Sequence, residues 1–243
     1  MDNKLSKYLV EQILLEEETP VIKKTVVIYS GRFQPFHSGH YKTYQLLIKK
    51  FGKDNVYVGA TNIVDAPRSP FNFKEKVEIM NTMFGIPKSH IVQLKQPYKP
   101  VEILSKFDEN TTAYITVVGE KDENRLGGKY FRKLGNNTPT EPYKDAGYVF
   151  VSPSQPNALS GTAVRNGLSN GTDEQKKEFF KKTVYPKFNP KIYDLIVGKL
   201  HERIEIEKET IEEWLLTEGT INGLGQADDG PAGFYPNMDV FTR

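Results

Sequence analysis

Three observations predict an α/β fold: a parallel sheet of about five strands with helices on both faces, followed by an α-helical C-terminal extension. Short apolar runs of strand length alternate with segments of helical periodicity. The first run, residues 25–30 (TVVIYS), ends at Gly31 and leads through a short loop into a helical segment. Near the end of the chain, residues 190–216 set Ile192, Leu195, Ile196, Leu200, Ile204, Ile211 and Trp214 at helical spacing.

Taken in order, Leu5, Leu9 and Ile13, with Tyr8, Gln12 and Leu15 beside them, give a short N-terminal helix that ends near Pro20. The β-branched strand 25–30 precedes a helix over 38–50 (SGHYKTYQLLIKK) with Tyr44, Leu47 and Ile48 turned inward. The pattern recurs as strand 55–60 (NVYVGA), helix 72–84, strand 90–94 (HIVQL), short helix 100–107 and strand 112–118 (TAYITVV). A polar stretch rich in Gly, Asn and Pro, 122–146, reads as an active-site loop or lid, and 147–151 (GYVFV) adds a last strand. Thr172 and Gln175 in TDEQKKEFF have the spacing of a capping box, which starts the C-terminal helical part. From Gly219 onward the chain lacks periodicity and reads as a tail without its own fold, with Phe234, Tyr235 and Phe241 as potential anchors. The expected organisation is an N-terminal helical extension (1–20), an α/β domain (21–170), a C-terminal helical region (171–217) and an extended tail (218–243).

The 243 residues suffice for one full-sized core plus extensions, so one active centre is expected. Basic and acidic residues, 33 and 31, nearly cancel and are dispersed, which argues against a nucleic-acid partner. The absence of Cys excludes disulfides, thiolate chemistry and Cys-based metal sites. The N-terminus lacks the uninterrupted apolar stretch of a signal peptide, and no window reaches membrane-spanning length. A soluble, cytoplasmic protein is the expectation.

The chemistry concentrates in GRFQPFHSGH, residues 31–40, directly between the first strand and the first helix, where α/β folds place ligand-binding loops. His37 and His40 stand three residues apart at a helix start, so both imidazoles can face one side. Gly39 has no side chain to obstruct a phosphate approaching the helix amides. Gly31, Pro35 and Gly39 fall where such a loop needs unusual backbone conformations. By itself the His pair would serve equally as a helix cap or as half of a metal site. Ser160 and Thr162 open a second helix after a Pro-containing loop, and Arg165 lies one turn inside, its planar fork suited to phosphate oxygens.

Together these segments resemble the HxGH nucleotidyltransferase superfamily. GRFQP is most similar to nicotinamide-nucleotide adenylyltransferases of the archaeal and bifunctional bacterial types. LSGTAVR, with Ser160, Gly161, Thr162 and Arg165, resembles the family's second signature, which holds the β- and γ-phosphates, and RSPFNFKEK (68–76) resembles its segment after the second strand. The resemblance covers roughly residues 25–168 and implies a Rossmann-like nucleotidyltransferase fold. It implies catalytic roles for His37, His40 and Arg165, and nucleotide contacts for Gly31, Arg32, Phe33, Gly39, Gly119, Asp122, Ser160, Gly161 and Thr162. Magnesium would arrive on the triphosphate, without metal ligands from the chain.

The expected reaction joins ATP to nicotinamide mononucleotide, giving NAD and pyrophosphate. The alternatives are a cytidylyltransferase-like enzyme on another phosphorylated acceptor, and an assembly protein that keeps the fold and docks a protein partner through its N-terminal helix and residues 219–243. Arg68, Lys74 and Lys76 are candidate phosphate contacts, and Lys121, Arg125, Lys129 and Arg132 a candidate cationic lid. No aromatic matching the family's nicotinamide-stacking position is identified, since the only Trp is Trp214.

Overall fold

The computed structural model describes residues 21–221, apart from 66, 67, 121, 123–125, 127, 136, 137 and 154–158. The predicted N-terminal helix, the tail beyond 221, Lys121, Arg125 and the side chains of Ile204, Ile211 and Trp214 lie outside the described residues.

Six strands form one parallel sheet: β1 (Lys24–Gly31), β2 (Val56–Ala60), β3 (Ile91–Gln93), β4 (Thr112–Gly119), β5 (Phe131–Lys133) and β6 (Gly147–Ser152), in the spatial order β3-β2-β1-β4-β6-β5. The helices are α1 (Ser38–Phe51), α2 (Phe73–Phe84), α3 (Val101–Leu104), α4 (Gly161–Ser169), α5 (Asp173–Phe179) and α6 (Pro190–Ile221). The chain winds outward from β1 to β3 and then returns to place β4 on the other side of β1, in register from Lys24 opposite Thr112 to Tyr29 opposite Val117. That reversal opens a crevice at the carboxyl ends of β1 and β4, the place where open α/β sheets bind ligands.

Alternation along the central strands divides the core between two faces. Val27, Ile115 and Val117 join Leu47, Met80, Val164, Phe180, Ile192 and Leu200 in one continuous cluster, so residues after 170 share the core of the sheet. Val26, Ile28 and Tyr114 face a smaller cluster under α3 with Leu94 and Ile103. The chain divides into two units, Met1–Ile204 and Glu205–Arg243, and the first holds the sheet.

Local chemistry starts and stops the helices. Asn72 caps α2 reciprocally with Glu75, through Glu75 N–H to Asn72 Oδ1 (3.0 Å) and Asn72 N–H to Glu75 Oε2 (2.8 Å), and Gly85 closes it in the left-handed region at φ 67°. The predicted capping box of Thr172 and Gln175 starts α5. A π-helical turn, Phe180–Val184, then follows and ends at Tyr185, which Pro186 holds in extended conformation at φ −130°, ψ 152°.

The sixth strand is the difference from the sequence reading. Residues 131–133 lie within the stretch read as a loop or lid, yet they pair with β6 from Phe131 opposite Gly147 to Lys133 opposite Val149. Leu134 is buried behind them, Arg132 pairs with Glu141, and the Tyr148 hydroxyl accepts the backbone N–H groups of Thr140 and Glu141 at 3.1 and 3.0 Å. Residues 131–134 and 140–141 are therefore docked onto the sheet edge, where Arg132 pairs with Glu141.

Candidate active site

The loop from β1 to α1 folds around its own aromatic rings. Phe33 is the one non-glycine residue with positive φ, at 46°, among the described residues, and the Gln34–Pro35 peptide is cis. Its buried ring lies 5.3 Å from Tyr29, 5.1 Å from Phe36 and 5.0 Å from His40. A Cβ on Gly31 would stand 2.7 Å from that ring, so Gly31 is required for room, while the unusual conformation falls to Phe33.

His37 is the N-cap of α1. Its Nδ1 accepts the Gly39 N–H at 3.1 Å, and the His37 N–H reaches His40 Nδ1 at 3.4 Å, so the two imidazoles form the two halves of a capping box. The rings stack at 3.8 Å between centroids with 26° between planes. Because both Nδ1 atoms accept, both neutral rings must carry their proton on Nε2. Burial pushes the His37 imidazolium from its ordinary value down to about 4, and burial together with His37 holds His40 well below its own. The pair is therefore neutral near pH 7, presenting two Nε2–H donors. His37 Nε2 is buried and has no hydrogen-bond partner among the described residues.

A Cβ on Gly39 would meet His37 Cε1 at 3.0 Å, His37 Nδ1 at 3.1 Å and the Leu159 carbonyl at 3.3 Å. Gly39 thus keeps the cap bond short as well as leaving the helix terminus open.

Around this turn lie two hollows that meet at Tyr29, His40 and Gly119. The larger, about 650 Å³, is lined by Gly31, Arg32, Phe33, Gln34, His40, Arg68, Gly119, Asp122, Gly161, Thr162 and Arg165, with Tyr29 and Ser30 at the strand end. The smaller, about 210 Å³, is bordered by His37, Gly39, Thr43, Glu120, Ser152 and Leu159. Ser160 lines neither hollow; its Oγ accepts the Ala163 N–H at 3.0 Å and caps α4. A Cβ on Gly119 would meet nothing within 4 Å, whereas one on Gly161 would come within 3.3 Å of the Gln34 carbonyl.

Three sequence segments are tied together at residue 34. The buried Gln34 side chain accepts the Phe71 N–H at 2.9 Å and donates to the Phe71 carbonyl at 3.0 Å, while its own carbonyl accepts Arg165 Nη1 at 2.8 Å. Arg165 Nη2 also donates to Thr162 Oγ1 at 3.2 Å. Sequence reading missed Gln34, because a glutamine in a loop has no periodicity to betray a partner 37 residues away. Of the other candidate phosphate contacts, Arg68 borders the larger hollow. Lys76 is buried, donates to the Thr61 carbonyl at 2.8 Å, and is lowered to about 8 by burial against the opposing effect of Glu75. Lys74 lies on the outer side of α2 beside Val77 and Asn81, and Lys129 is exposed.

Among the described residues no group of three or more His, Cys, Asp or Glu could hold a metal ion. The carboxylate on the larger hollow is Asp122, which shares it with Arg32, Arg68 and Arg165. Three guanidinium groups on one hollow suit a polyanionic ligand.

A nicotinamide-nucleotide adenylyltransferase from Methanocorpusculum labreanum is 24% identical over 185 residues, spanning 72% of this chain and 90% of the relative. One from Thermococcus sibiricus is 23% identical over 162 residues, spanning 65% and 79%. Among solved structures, a bifunctional NMN adenylyltransferase/ADP ribose pyrophosphatase from Francisella tularensis superposes with a TM-score of 0.52 at 17% identity, covering 88% of this chain and 58% of that one, which shows a common fold. The segment that matches a known family runs from residue 28 to residue 167, from inside β1 through Arg165 on α4, and by it the chain belongs to the cytidylyltransferase-like family of nucleotidyltransferase fold.

Proposed function

We propose that the protein transfers a nucleoside monophosphate from a nucleoside triphosphate to a phosphate-bearing acceptor, with ATP and nicotinamide mononucleotide as the pair that yields NAD and pyrophosphate. The observation that carries this reading is the reciprocal cap of His37 and His40, which fixes both rings as neutral Nε2–H donors beside two helix N-termini. The choice of pair is supported by the names of the archaeal relatives.

An oxygen of the acceptor phosphate attacks the α-phosphorus. The new P–O bond forms as the bond to the bridging oxygen breaks, and the electron pair leaves with pyrophosphate. The acceptor is already anionic, so no base is needed and donors are what the site must supply. The imidazole donors hold α-phosphate oxygens as charge builds on them, and a donor helps most when it binds the transition state more strongly than the ground state. Arg165 and the first turn of α4 face the departing phosphates. Magnesium arriving with the triphosphate would supply charge neutralisation for the departing phosphates. His37, His40 and Arg165 are assigned the catalytic contacts; Gly31, Arg32, Phe33, Gly39, Gly119, Asp122, Ser160, Gly161 and Thr162 shape or line the nucleotide site.

The test is pyrophosphate release with magnesium and either ATP or CTP, with and without nicotinamide mononucleotide, beside His40→Ala. Release that needs ATP and the mononucleotide, and falls by about 10²–10³ in the variant, is the expected result. Release only with CTP and a different phosphorylated acceptor keeps the chemistry and replaces the substrates. No release with any pair overturns the reading, and nucleotide binding without turnover would leave a docking role for the extensions.

A further inference from the structure

The turn that carries His37 is tethered by residues outside the lining of the two hollows. The Tyr185 hydroxyl, in a residue 3% exposed, donates to the Phe36 carbonyl at 3.0 Å, the peptide group immediately before His37. The Ser38 hydroxyl, immediately after it, donates to the Thr183 carbonyl at 3.0 Å. Both partners belong to the π-helical turn Phe180–Val184 and its terminal residue. Bonding there is five residues apart, as in Tyr185 N–H to Phe180 carbonyl at 3.0 Å, and this widened turn, stopped by Pro186, swings the Tyr185 ring inward. The ring is wedged between Phe180 at 4.5 Å and Phe84 at 5.6 Å, and Phe84 itself packs on Phe36 at 5.3 Å.

We propose that Tyr185, aided by Ser38, is a positioning residue for nucleotidyl transfer: the C-terminal π turn holds the backbone on both sides of His37 and so aims its ring. The inference rests on the nucleotidyltransferase reading above. It gives residues 180–185, which follow the segment matched to the family, a part in the chemistry without contact with substrate. The His37 side chain is set by two backbone peptides, and a shift of either would turn the ring away from a phosphate oxygen. Misplacement of about 1 Å in a reacting array costs up to about 10²-fold in rate.

The experiment compares Tyr185→Phe with Tyr193→Phe. The Tyr193 side chain is equally buried in the same helical layer and packs on Phe180, but its part-buried hydroxyl donates to Asp173 Oδ1 at 2.6 Å and not to the turn that carries His37. Both variants lose a hydrogen-bonded tyrosine hydroxyl, buried in Tyr185 and part-buried in Tyr193, so the His37 resonances and the split between kcat and KM, rather than stability, distinguish loss of aim from loss of packing. At a temperature where circular dichroism shows all proteins folded, kcat and KM for pyrophosphate release are measured, and the His37 imidazole resonances are followed by NMR without substrates. The expected result is a fall of about tenfold or more in kcat for Tyr185→Phe with KM for the triphosphate changed less than about twofold, and little change for Tyr193→Phe. The His37 resonances move in the first variant and stay in the second. Unmoved resonances in Tyr185→Phe, or equal displacement in both variants, overturn the proposal. If the wild type turns over no substrate pair, the functional reading has failed, and the resonances alone decide whether Tyr185 aims His37. Should Tyr185→Phe not fold, Ser38→Ala removes the other tether and is read in the same way.

Discussion

Lowering the pH should destabilise the fold through His37, by an amount that can be worked out. The imidazolium sits at about 4 in the folded chain against an ordinary value of 6.5, and burial is the cause. Between those values the unfolded chain binds the proton and the folded chain does not, so stability falls as pH falls across this window and levels off below it. Integrating the two titrations gives a loss of about 2.5 kcal/mol on going from about pH 7.5 to about pH 4.5. The perturbation is His37→Asn, which keeps a good N-cap for the Gly39 N–H while removing the titrating ring. Urea unfolding followed by far-ultraviolet circular dichroism should show the wild type losing at least about 2.5 kcal/mol more than the variant across that range, a midpoint shift on the order of 1 M. The difference should be somewhat larger than for one ring, because His37 also lowers His40. Equal losses in the two proteins would refute the assignment of a buried, neutral His37.

Further predictions separate fold from site. Gly119→Ala adds a methyl where nothing lies within 4 Å, so its unfolding free energy should stay within about 0.5 kcal/mol of wild type while the KM for the triphosphate rises. Loss of stability without loss of binding would contradict its place on the ligand crevice. Arg165→Lys keeps the charge but cannot bridge the Gln34 carbonyl and Thr162 Oγ1 at once, and kcat/KM for pyrophosphate release should fall by about 10²-fold. An unchanged kcat/KM would mean that the planar fork has no role.

What could be read from the sequence was what local chemistry writes. The β1 to α1 loop announced itself through GRFQPFHSGH, and the strands of the central sheet through β-branched runs, because burial on both faces demands them. The third-residue spacing of His37 and His40 identified the helix start and offered a helix cap as one reading, although the reciprocity of that cap came only with the geometry. β5 was missed since FRK is polar and short; its pairing depends on β6 and on Leu134 behind it. Gly31 was assigned an unusual conformation, but the constraint is the Phe33 ring, whose position no spacing rule specifies. Tyr185 lies 149 residues from Phe36, and a contact over that distance leaves no periodicity in either segment. Ser160 and Thr162 could be placed at a helix start, yet their division between capping and supporting Arg165 required coordinates.

The two outermost strands, β3 and β5, are each three residues long, whereas β1 and β4 at the centre have eight. A sheet that tapers in this way offers little open ladder on either flank for a foreign strand to extend. Copies of the protein that meet in a crowded solution have few unpaired amides and carbonyls with which to recruit one another into a continuous ribbon. Among the described residues, the taper therefore leaves short flanks that disfavour aggregation through strand addition.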